Sequence, residues 1–332
     1  MRAIAFSTPA ATSHLRPFLV SKDLESVADL VEACFAETLD EDGRRYVEQM
    51  QAAARNPRYL RWATAVAENV SLPLTGYVWE EDGRLRGNLS LIPFTNQGKR
   101  CYLIANVAVD PGYRRRGIAR ALTSNALRHA REHGASQVWL HVREENLAAI
   151  NLYLSLGFTE RARRTTWESS PQPGSPLLYQ PGESNPGITV TRPQPGQWAM
   201  MRDWMQRIYP PEFTWHLPYN LKAYRPGLWG GIYRFLNAAE VQQWAAMRHD
   251  RLLGVLTWQR IPYRNEHLWV ATEREEVVDE EDVIAALLPH ARRKIGLNQR
   301  LLIDYPAGRG KHAFQQAGFH IQQTLIWMQR HL

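Results

Sequence analysis

The sequence predicts an α/β fold made of two tandem domains, each a mostly antiparallel, twisted mixed sheet with a central parallel strand pair flanked by helices. Three observations support this prediction. At 332 residues the chain is longer than one hydrophobic core usually serves. The segment 102–142 reads as strand, helix and strand with short connections, which is typical of a parallel pair. Segments of the second half repeat the order of the first.

The composition is that of an ordinary globular protein, with 44% apolar and 22% charged residues. The net charge of +7 allows an anionic partner, and a nucleotide-like cofactor explains it as well as nucleic acid would. Because the sequence contains neither an RNA-binding signature nor a zinc-finger spacing, we expect no nucleic-acid partner.

The two cysteines, Cys34 and Cys101, have no metal-ligand neighbour at short spacing. We therefore expect neither a disulfide scaffold nor a metal site. The same two observations indicate a reducing compartment. No run approaches the roughly 20 apolar residues that cross a bilayer. The sequence thus predicts a cytoplasmic protein without a membrane partner.

The first elements are a short strand at 17–21 and a helix from Asp23, whose apolar residues recur at helical spacing. Two strand-like runs within 76–94 are joined by Asp82 and Gly83, a pair that tolerates positive φ. These runs therefore predict a hairpin.

A nearly all-apolar strand at 102–110 suits a position buried on both faces of a sheet. A helix at 117–133 follows, with Gly134 placed to end it, and a second buried strand lies at 137–142. Such a crossover unit predicts that the two strands run parallel and that the connection is right-handed.

A helix at 146–155 and a strand at 157–168 complete the first predicted domain, which we assign to residues 1–170. Residues 171–187 are rich in Pro and Gly and predict a linker, because such a segment continues neither helix nor sheet. The second predicted domain covers residues 188–332.

The second half repeats the opening order, with a strand at 188–193, a helical segment at 194–208 and a hairpin at 244–259. Gly-Phe followed by a later Trp occurs near the end of both halves, at Gly157 and Gly318, which indicates an internal repeat of about 161 residues. The segment 209–235, which follows the helical segment 194–208, is rich in aromatic residues. It either lines a substrate site or packs between the domains.

The segment 107–122 joins a buried strand to a helix through a basic turn. Gly117 and Ala119 let a ligand approach the backbone closely. The first helical turn directs N–H groups without helical partners outward, and the helix dipole adds positive charge, so we expect an anion to bind there. The turn matches neither a P-loop nor the three-glycine dinucleotide fingerprint. The alternative is a basic, solvated helix start.

This turn resembles motif A of the GCN5-related N-acetyltransferase (GNAT) superfamily, Arg/Gln-x-x-Gly-x-Gly/Ala, and the two-domain layout resembles its tandem type. Arg114, Gly117 and Ala119 stand at the defining positions. In the family, backbone amides of this turn hold the pyrophosphate of acyl-CoA. The resemblance implies acetyl-CoA as co-substrate, and it implies these cofactor-binding residues: Val107, Val109, Arg114, Arg115, Arg116, Gly117, Ile118, Ala119, Arg120, Asn146 and Ala149.

A second motif supports the resemblance. Asn146, Ala149 and Tyr153 match the family's Asn, Ala and Tyr in both type and spacing, and spacings of three and four put them on one helical face. In the family the two parallel strands splay apart and the pantetheine arm inserts between them. By resemblance, main-chain groups of Val107 and Val109 bind that arm here, and an amide near Val109 polarises the thioester carbonyl.

The resemblance implies that Tyr153 is the general acid, because the departing thiolate lies beside this helix in the family. The general base is less defined. Many relatives carry Glu on one of the two strands, whereas this chain has Ala105 and His141 at the corresponding positions. Histidine can take a proton from an amine near neutral pH, but a histidine held only by packing is an equal alternative. Glu144 and Glu145 follow the strand and are expected to be solvated or to orient substrate.

The second half lacks the pyrophosphate turn. The segment 267–288 has no Arg-x-x-Gly-x-Ala pattern and carries seven acidic residues between Glu273 and Asp282. Phe314 stands in place of Tyr153 and cannot donate a proton. We therefore expect a degenerate GNAT-like domain that stabilises the first.

The sequence predicts an N-acetyltransferase that moves an acetyl group from acetyl-CoA to a primary amine by direct attack. The acceptor is a small-molecule or peptide amine, and the sequence does not define the oligomeric state. The alternative is an acyl-CoA-binding regulatory or scaffold protein without turnover, which the missing acidic base favours and Tyr153 disfavours.

Overall fold

The computed structural model describes residues 14–36, 41–66, 72–169, 187–215, 217–227, 231–233, 235, 240–260, 266–274, 279–296 and 299–332. The chain divides into two compact units. The first consists of Met1–Arg161 and Trp327–Leu332, and the second of Ala162–Ile326.

The boundaries of these units differ from those of the predicted domains, both near residue 161 and at the last strand of the chain. The strand predicted to close the first half continues past residue 161 into the second unit, and the last strand of the chain ends in the first unit. The predicted linker lies outside the described residues, except for Gly187.

Among its described residues, the first unit contains five complete strands, five α-helices and parts of two further strands. Its elements are β1 (Leu15–Pro17), α1 (Val20–Phe35), α2 (Glu41–Ala54), α3 (Pro57–Val66), β2 (Thr75–Glu81), β3 (Arg84–Asn96), β4 (Lys99–Val109), α4 (Ile118–Glu132), β5 (Gln137–Arg143), α5 (Leu147–Ser155) and the beginning of β6 (Thr159–Ser169). In the sheet, β1 to β5 lie side by side in chain order, and the end of the last strand lies next to β5.

Strands β1 to β4 pair antiparallel, whereas β4 and β5 pair parallel as the sequence predicts. The hairpin between β2 and β3 turns at Asp82 and Gly83, which have φ of 53° and 69°. Both residue types tolerate this left-handed backbone, which explains why the pair marks the turn.

The first predicted strand is displaced. It was expected at 17–21, but β1 lies at Leu15–Pro17 and α1 already begins at Val20. The side chain of Asp23 accepts a hydrogen bond from the amide of Leu19 at 2.8 Å and two from the guanidinium of Arg16. These bonds stabilise the change from strand to helix, so the apolar run is divided between the two elements.

Helices cover both faces of the first sheet. Val78 packs with buried residues of α1, α2 and α3, including Val27, Val47 and Ala63. Neighbouring strand residues point to opposite faces, so Trp79 faces the other side. There Gly87 lies directly under α4, because a Cβ at Gly87 would be 2.8 Å from Ile118 Cγ2.

The second unit repeats this order of elements. It contains β7 (Thr189–Thr191), α6 (Trp198–Ile208), α7 (Pro211–Thr214), β8 (Glu240–Arg248), β9 (Arg251–Arg260), β10 (Glu266–Thr272), α8 (Glu280–Ile295), β11 (Leu301–Pro306), α9 (Lys311–Gln316) and most of β12 (Phe319–His331). Most of β6 belongs here and pairs antiparallel with β11, while β10 and β11 form the parallel pair. The internal repeat is also evident in the turns after α5 and α9, where Gly157 and Gly318 have φ of 81° and 77°.

The aromatic segment after α6 contributes to the core of the second unit. Tyr209 and Tyr224 are fully buried, and Tyr209 meets the ring of Trp269 edge-on with centroids 5.1 Å apart. The hydroxyl of Tyr224 donates to the side-chain oxygen of Gln259 at 2.7 Å. Tyr209 and Tyr224 are therefore packed within the second unit, whereas Phe235 of the same segment is 86% exposed.

None of the helices among the described residues combines the length and the apolar character that crossing a membrane requires.

A substitution at Gly76 tests how closely β2 and β3 approach each other. A Cβ on Gly76, which has φ of 152°, would lie 2.0 Å from the carbonyl oxygen of Leu89. We expect Gly76→Ala to lower the free energy of unfolding by about 3 kcal/mol or more, measured by urea denaturation. Gly98→Ala is the matched control, because Gly98 has φ of 75° and open space around it, and it should cost about 1 kcal/mol. Equal losses for the two variants would contradict this packing.

Candidate active site

The parallel strands of the first unit separate partway along their length. They pair from Cys101 with Gln137 to Ile104 with Leu140, and the pairing ends there although both strands continue. Beyond this point Val107 and Val109 are half-exposed. The two strands thus no longer pair with each other in the part of β4 that contains Val107 and Val109.

A β-bulge lies at the point of separation. The register between β3 and β4 shifts between Asn88 and Ser90, and Asn106 has a left-handed φ of 51°. The Asn106 side chain donates to the hydroxyl of Tyr46 at 2.9 Å, and Asn88 donates to the Asn106 carbonyl at 3.0 Å. A bulge bends its strand, so this conformation accounts for the divergence of β4.

The turn between β4 and α4 is held by Asp110. Its carboxylate accepts from the amide of Gly112 at 2.9 Å and from the guanidinium of Arg86 at 2.8 Å. The hydrogen bond from Arg86 is the main reason why the pKa of Asp110 lies below its ordinary value. The ring of Tyr113 packs against two guanidinium groups, those of Arg86 and Arg116, at 4.3 and 4.5 Å.

Helix α4 begins at a glycine in the left-handed conformation. Gly117 has φ of 81° and ψ of 2°, and a Cβ there would meet nothing within 4 Å. The backbone conformation, rather than lack of space, therefore explains the glycine. Arg115 also has a positive φ, of 62°. This turn leaves the first amides of α4 open toward solvent, with the positive end of the helix dipole behind them.

The predicted anion-binding residues differ in their exposure. Arg114, Arg115, Arg116 and Arg120 are exposed, whereas the side chain of Ile118 is buried in the core. Ile118 and Ala119 can therefore contribute to an anion site chiefly through their amides. Arg114 donates to the carbonyl of Val109 at 3.2 Å, and Arg120 donates to Ser155 at 2.7 Å.

Helix α5 begins at Asn146, whose side-chain oxygen accepts from the amide of Ala149 at 3.1 Å. This N-cap fixes the first turn of the helix that carries Tyr153. Ala149 and Tyr153 lie four residues apart on one helical face. Asn146 thus has a structural role in addition to the role predicted from the motif.

Tyr153, the predicted general acid, is buried beside Phe158, with ring centroids 5.9 Å apart. Burial raises its pKa to about 12. The phenol therefore retains its proton throughout the neutral range, as a proton donor must.

His141, the predicted general base, is exposed near the end of β5, while its neighbours Leu140 and Val142 are buried. The alternation places His141 on the opposite face from both, as the sequence predicts. Its ring stacks on Trp327, with centroids 5.1 Å apart and planes inclined by 16°. Sequence reasoning did not find this partner, because Trp327 is at the other end of the chain.

Several residues of the site region were absent from the predicted set. They are Arg86, which binds Asp110, Tyr46 and Asn106 at the bulge, and Trp327 beside His141. An Asn within a valine-rich strand is a sequence signal for the bulge, because Asn tolerates positive φ. Glu144 and Glu145 are exposed, and Glu145 lies 3.6 Å from Arg143.

The part of the chain that the structure describes contains no group of three or more His, Cys, Asp or Glu residues arranged to hold a metal ion.

The corresponding helix start in the second unit differs in charge. Helix α8 is capped by Asp279, which accepts from the amide of Glu281 at 3.0 Å. Glu280 is buried and accepts hydrogen bonds from Thr272, Tyr305 and Arg309. Carboxylates thus occupy the helix terminus, and an additional anion would be repelled.

In the second unit, side chains contact the backbone of the parallel strand pair, β10 and β11. The amide of Val270 on β10 donates to the hydroxyl of Tyr209 at 3.0 Å, and both residues are buried. Phe314, in the position predicted to replace Tyr153, is fully buried and stacks on Trp167 at 5.0 Å. Aromatic side chains of the second unit thus contact the parallel strand β10 at Val270 and bury Phe314.

In the first unit, a bulged, separating strand pair thus lies beside a glycine-capped basic helix start in an α/β fold. Residues 26–158 match the model of the Acetyltransferase (GNAT) family.

Two relatives match shorter parts of the chain. The [ribosomal protein bS18]-alanine N-acetyltransferase of Escherichia coli K12 is 45% identical over 62 residues, which cover 19% of this chain and 42% of that protein. The mycothiol acetyltransferase of Thermobispora bispora is 55% identical over 53 residues, 16% of this chain and 18% of the relative. The chain thus spans less than half the length of either relative.

The fold is similar over the whole chain to a solved structure, the GCN5-related N-acetyltransferase from Sphaerobacter thermophilus. The comparison gives a TM-score of 0.58 at 15% identity and covers 98% of this chain and 97% of that one. This likeness establishes the fold of both halves.

The N-cap of α5 provides a direct test of the site's construction. We expect Asn146→Ala to lower the free energy of unfolding by about 1 kcal/mol, because the Ala149 amide loses its acceptor. Asn146→Asp keeps an acceptor oxygen and should restore most of that loss. Urea denaturation of both variants measures the difference, and an alanine variant as stable as the aspartate variant would contradict the capping role.

Proposed function

We propose that the first unit is an acetyl-CoA-dependent N-acetyltransferase that acetylates a primary amine by direct attack. The observation that carries the proposal is the left-handed Gly117 at the start of α4, beside the separating strands β4 and β5. An open helix terminus suits the pyrophosphate, and an unpaired strand edge suits the pantetheine arm. Both features occur in one crossover unit, β4–α4–β5.

The residues of this unit fit coenzyme A in charge and in shape. The amides of Gly117, Ile118 and Ala119 would hold the pyrophosphate, and four exposed arginines supply positive charge around them. Main-chain groups of Val107 and Val109 would hold the pantetheine arm. Bound there, acetyl-CoA supplies a thioester carbonyl that an amine can attack.

Tyr153 would act as the general acid. When the amine nitrogen bonds to the carbonyl carbon, the carbon–sulfur bond breaks, and the sulfur takes the hydroxyl proton of Tyr153. The pKa of about 12 keeps this proton on the phenol until the thiolate forms beside it.

His141 would act as the general base. Its exposed ring can accept the proton that the amine loses on attack, directly or through water. Backbone amides near Val109 would stabilise the negative charge that develops on the carbonyl oxygen. Each proton released in the reaction therefore has an acceptor in the first unit.

The relatives' names support a primary amine as acceptor. One acts on an alanine of ribosomal protein bS18, and another is a mycothiol acetyltransferase. A panel of peptide N-termini, polyamines, aminoglycosides and amino sugars, with release of free thiol from acetyl-CoA as readout, tests the activity.

The helix start is tested by placing a carboxylate in it. Gly117→Asp puts a negative charge next to the pyrophosphate amides, and we expect it to weaken coenzyme A binding by about tenfold or more in calorimetry. Gly134→Asp is the matched control, because Gly134 ends the same helix, has φ of 70° and has open space around it.

The control variant should bind coenzyme A within about twofold of the wild type, since its charge lies at the far terminus of the helix. Equal weakening by both variants would indicate a general charge effect. Unchanged binding by Gly117→Asp would contradict the anion site.

The role of Tyr153 is tested by removing only its hydroxyl. We expect Tyr153→Phe to lower kcat by about 100-fold and to leave coenzyme A affinity unchanged, because the phenol acts only when the thiolate departs. Tyr219→Phe, which removes a buried hydroxyl in the second unit, is the control and should keep kcat. A phenylalanine variant with wild-type turnover would exclude Tyr153 as the acid.

The raised pKa of Tyr153 predicts how kcat responds to alkaline pH. A phenol with an ordinary pKa of 10 begins to lose its proton above pH 9, whereas one with a pKa of about 12 remains protonated. We therefore expect kcat to stay constant between pH 8 and 10. A decline across that range that is absent from Tyr153→Phe would show that the pKa is not raised.

A further inference from the structure

The last strand of the chain completes the unit that carries the candidate site. Trp327–Leu332 belong to the first unit, where this end of β12 lies next to β5. The amide of Leu332 donates to the carbonyl of Ser136 at 3.1 Å, just before β5 begins. The hydroxyl of Thr159 donates to the carbonyl of Gln329 at 3.3 Å. These bonds fix the strand end beside the site.

Trp327 contacts the candidate base from this strand. Its side chain is buried, whereas His141 is exposed, and the two rings are stacked nearly parallel with centroids 5.1 Å apart. An exposed histidine has several rotamers of similar energy. A buried indole beside one face of the ring favours the rotamer that keeps the stack.

Arg330 contacts the helix of the candidate acid from the same strand. Its guanidinium donates to the carbonyl of Leu156, the residue that ends α5. It also packs over Gly157, where a Cβ would lie 3.6 Å from Arg330 Nε. The amide of Phe158 in turn donates to the carbonyl of Tyr153 at 3.1 Å. One strand end therefore contacts His141 and the end of the helix that carries Tyr153.

We propose that Trp327 is a positioning residue that holds the imidazole of His141 in the orientation required for proton transfer. The inference rests on the proposed acetyltransferase function and deepens it. It assigns to the far end of the chain a part in the site that the first half of the sequence encodes. Trp327 acts through His141 and has no direct contact with substrate in this proposal.

Trp327→Leu removes the aromatic face while keeping an apolar side chain. We expect it to lower kcat by about tenfold, with the KM for acetyl-CoA changed by less than about twofold, because a displaced base affects the chemical step rather than cofactor binding. Trp327→Phe keeps a stacking ring and should restore most of the activity.

Trp167→Leu is the matched control. Trp167 is equally buried, lies in β6 and stacks on Phe314 at 5.0 Å within the second unit. Its replacement removes a comparable amount of packing and has no contact with His141. It should leave kcat unchanged when both leucine variants are assayed well below their melting temperatures.

A double-mutant cycle separates positioning from a general structural effect. If Trp327 acts through His141, the double variant Trp327→Leu/His141→Ala has the same kcat as His141→Ala alone. Additive losses, or a His141→Ala variant as active as the wild type, would overturn the proposal.

A spectroscopic readout keeps the inference independent of turnover. In the stack, the indole ring current shifts the His141 ring protons, and this shift should disappear in Trp327→Leu and persist in Trp167→Leu. Unchanged His141 resonances in Trp327→Leu would overturn the proposal even in an active enzyme. A wild type that shows this shift but releases no thiol with any amine would instead refute the proposed function.

Discussion

The candidate site depends on the early end of the pairing between β4 and β5. Two parallel strands that stayed paired would satisfy their own backbone groups and leave no edge for a ligand. Here the pairing stops after Ile104 and Leu140, and the bulge at Asn106 turns β4 away. Asn88 and Tyr46 hold this bulge by hydrogen bonds to Asn106. The opening is therefore built into the sheet.

The two units show how one fold can carry opposite electrostatics at the same structural position. In the first, a helix begins at Gly117 without a side-chain cap and is surrounded by exposed arginines. In the second, Asp279 caps the helix, and Glu280 is held by Tyr305 and Arg309. A helix terminus attracts anions only when its amides are open, so a carboxylate cap removes that property without changing the fold.

Local chemistry determined which features the sequence could predict. The turn at Asp82 and the crossover unit were predicted correctly, because residue type and hydrophobic period specify each within a short window. The strand at 17–21 was misplaced, because a continuous apolar run does not reveal where Asp23 will cap the chain. The motif identified the helix start at Gly117. The stack of Trp327 on His141 could not be predicted, because the pairing of strands that are distant in sequence depends on tertiary packing and not on a local pattern.

The ends of β6 and β12 give the two halves of the sequence a mutual dependence. The first half contributes most of β6 to the second unit, and the second half contributes the end of β12 to the first unit. Each strand places a tryptophan against an aromatic ring, Trp327 on His141 and Trp167 on Phe314. The last strand carries Trp327 and Arg330 into the first unit, where they contact His141 and Leu156.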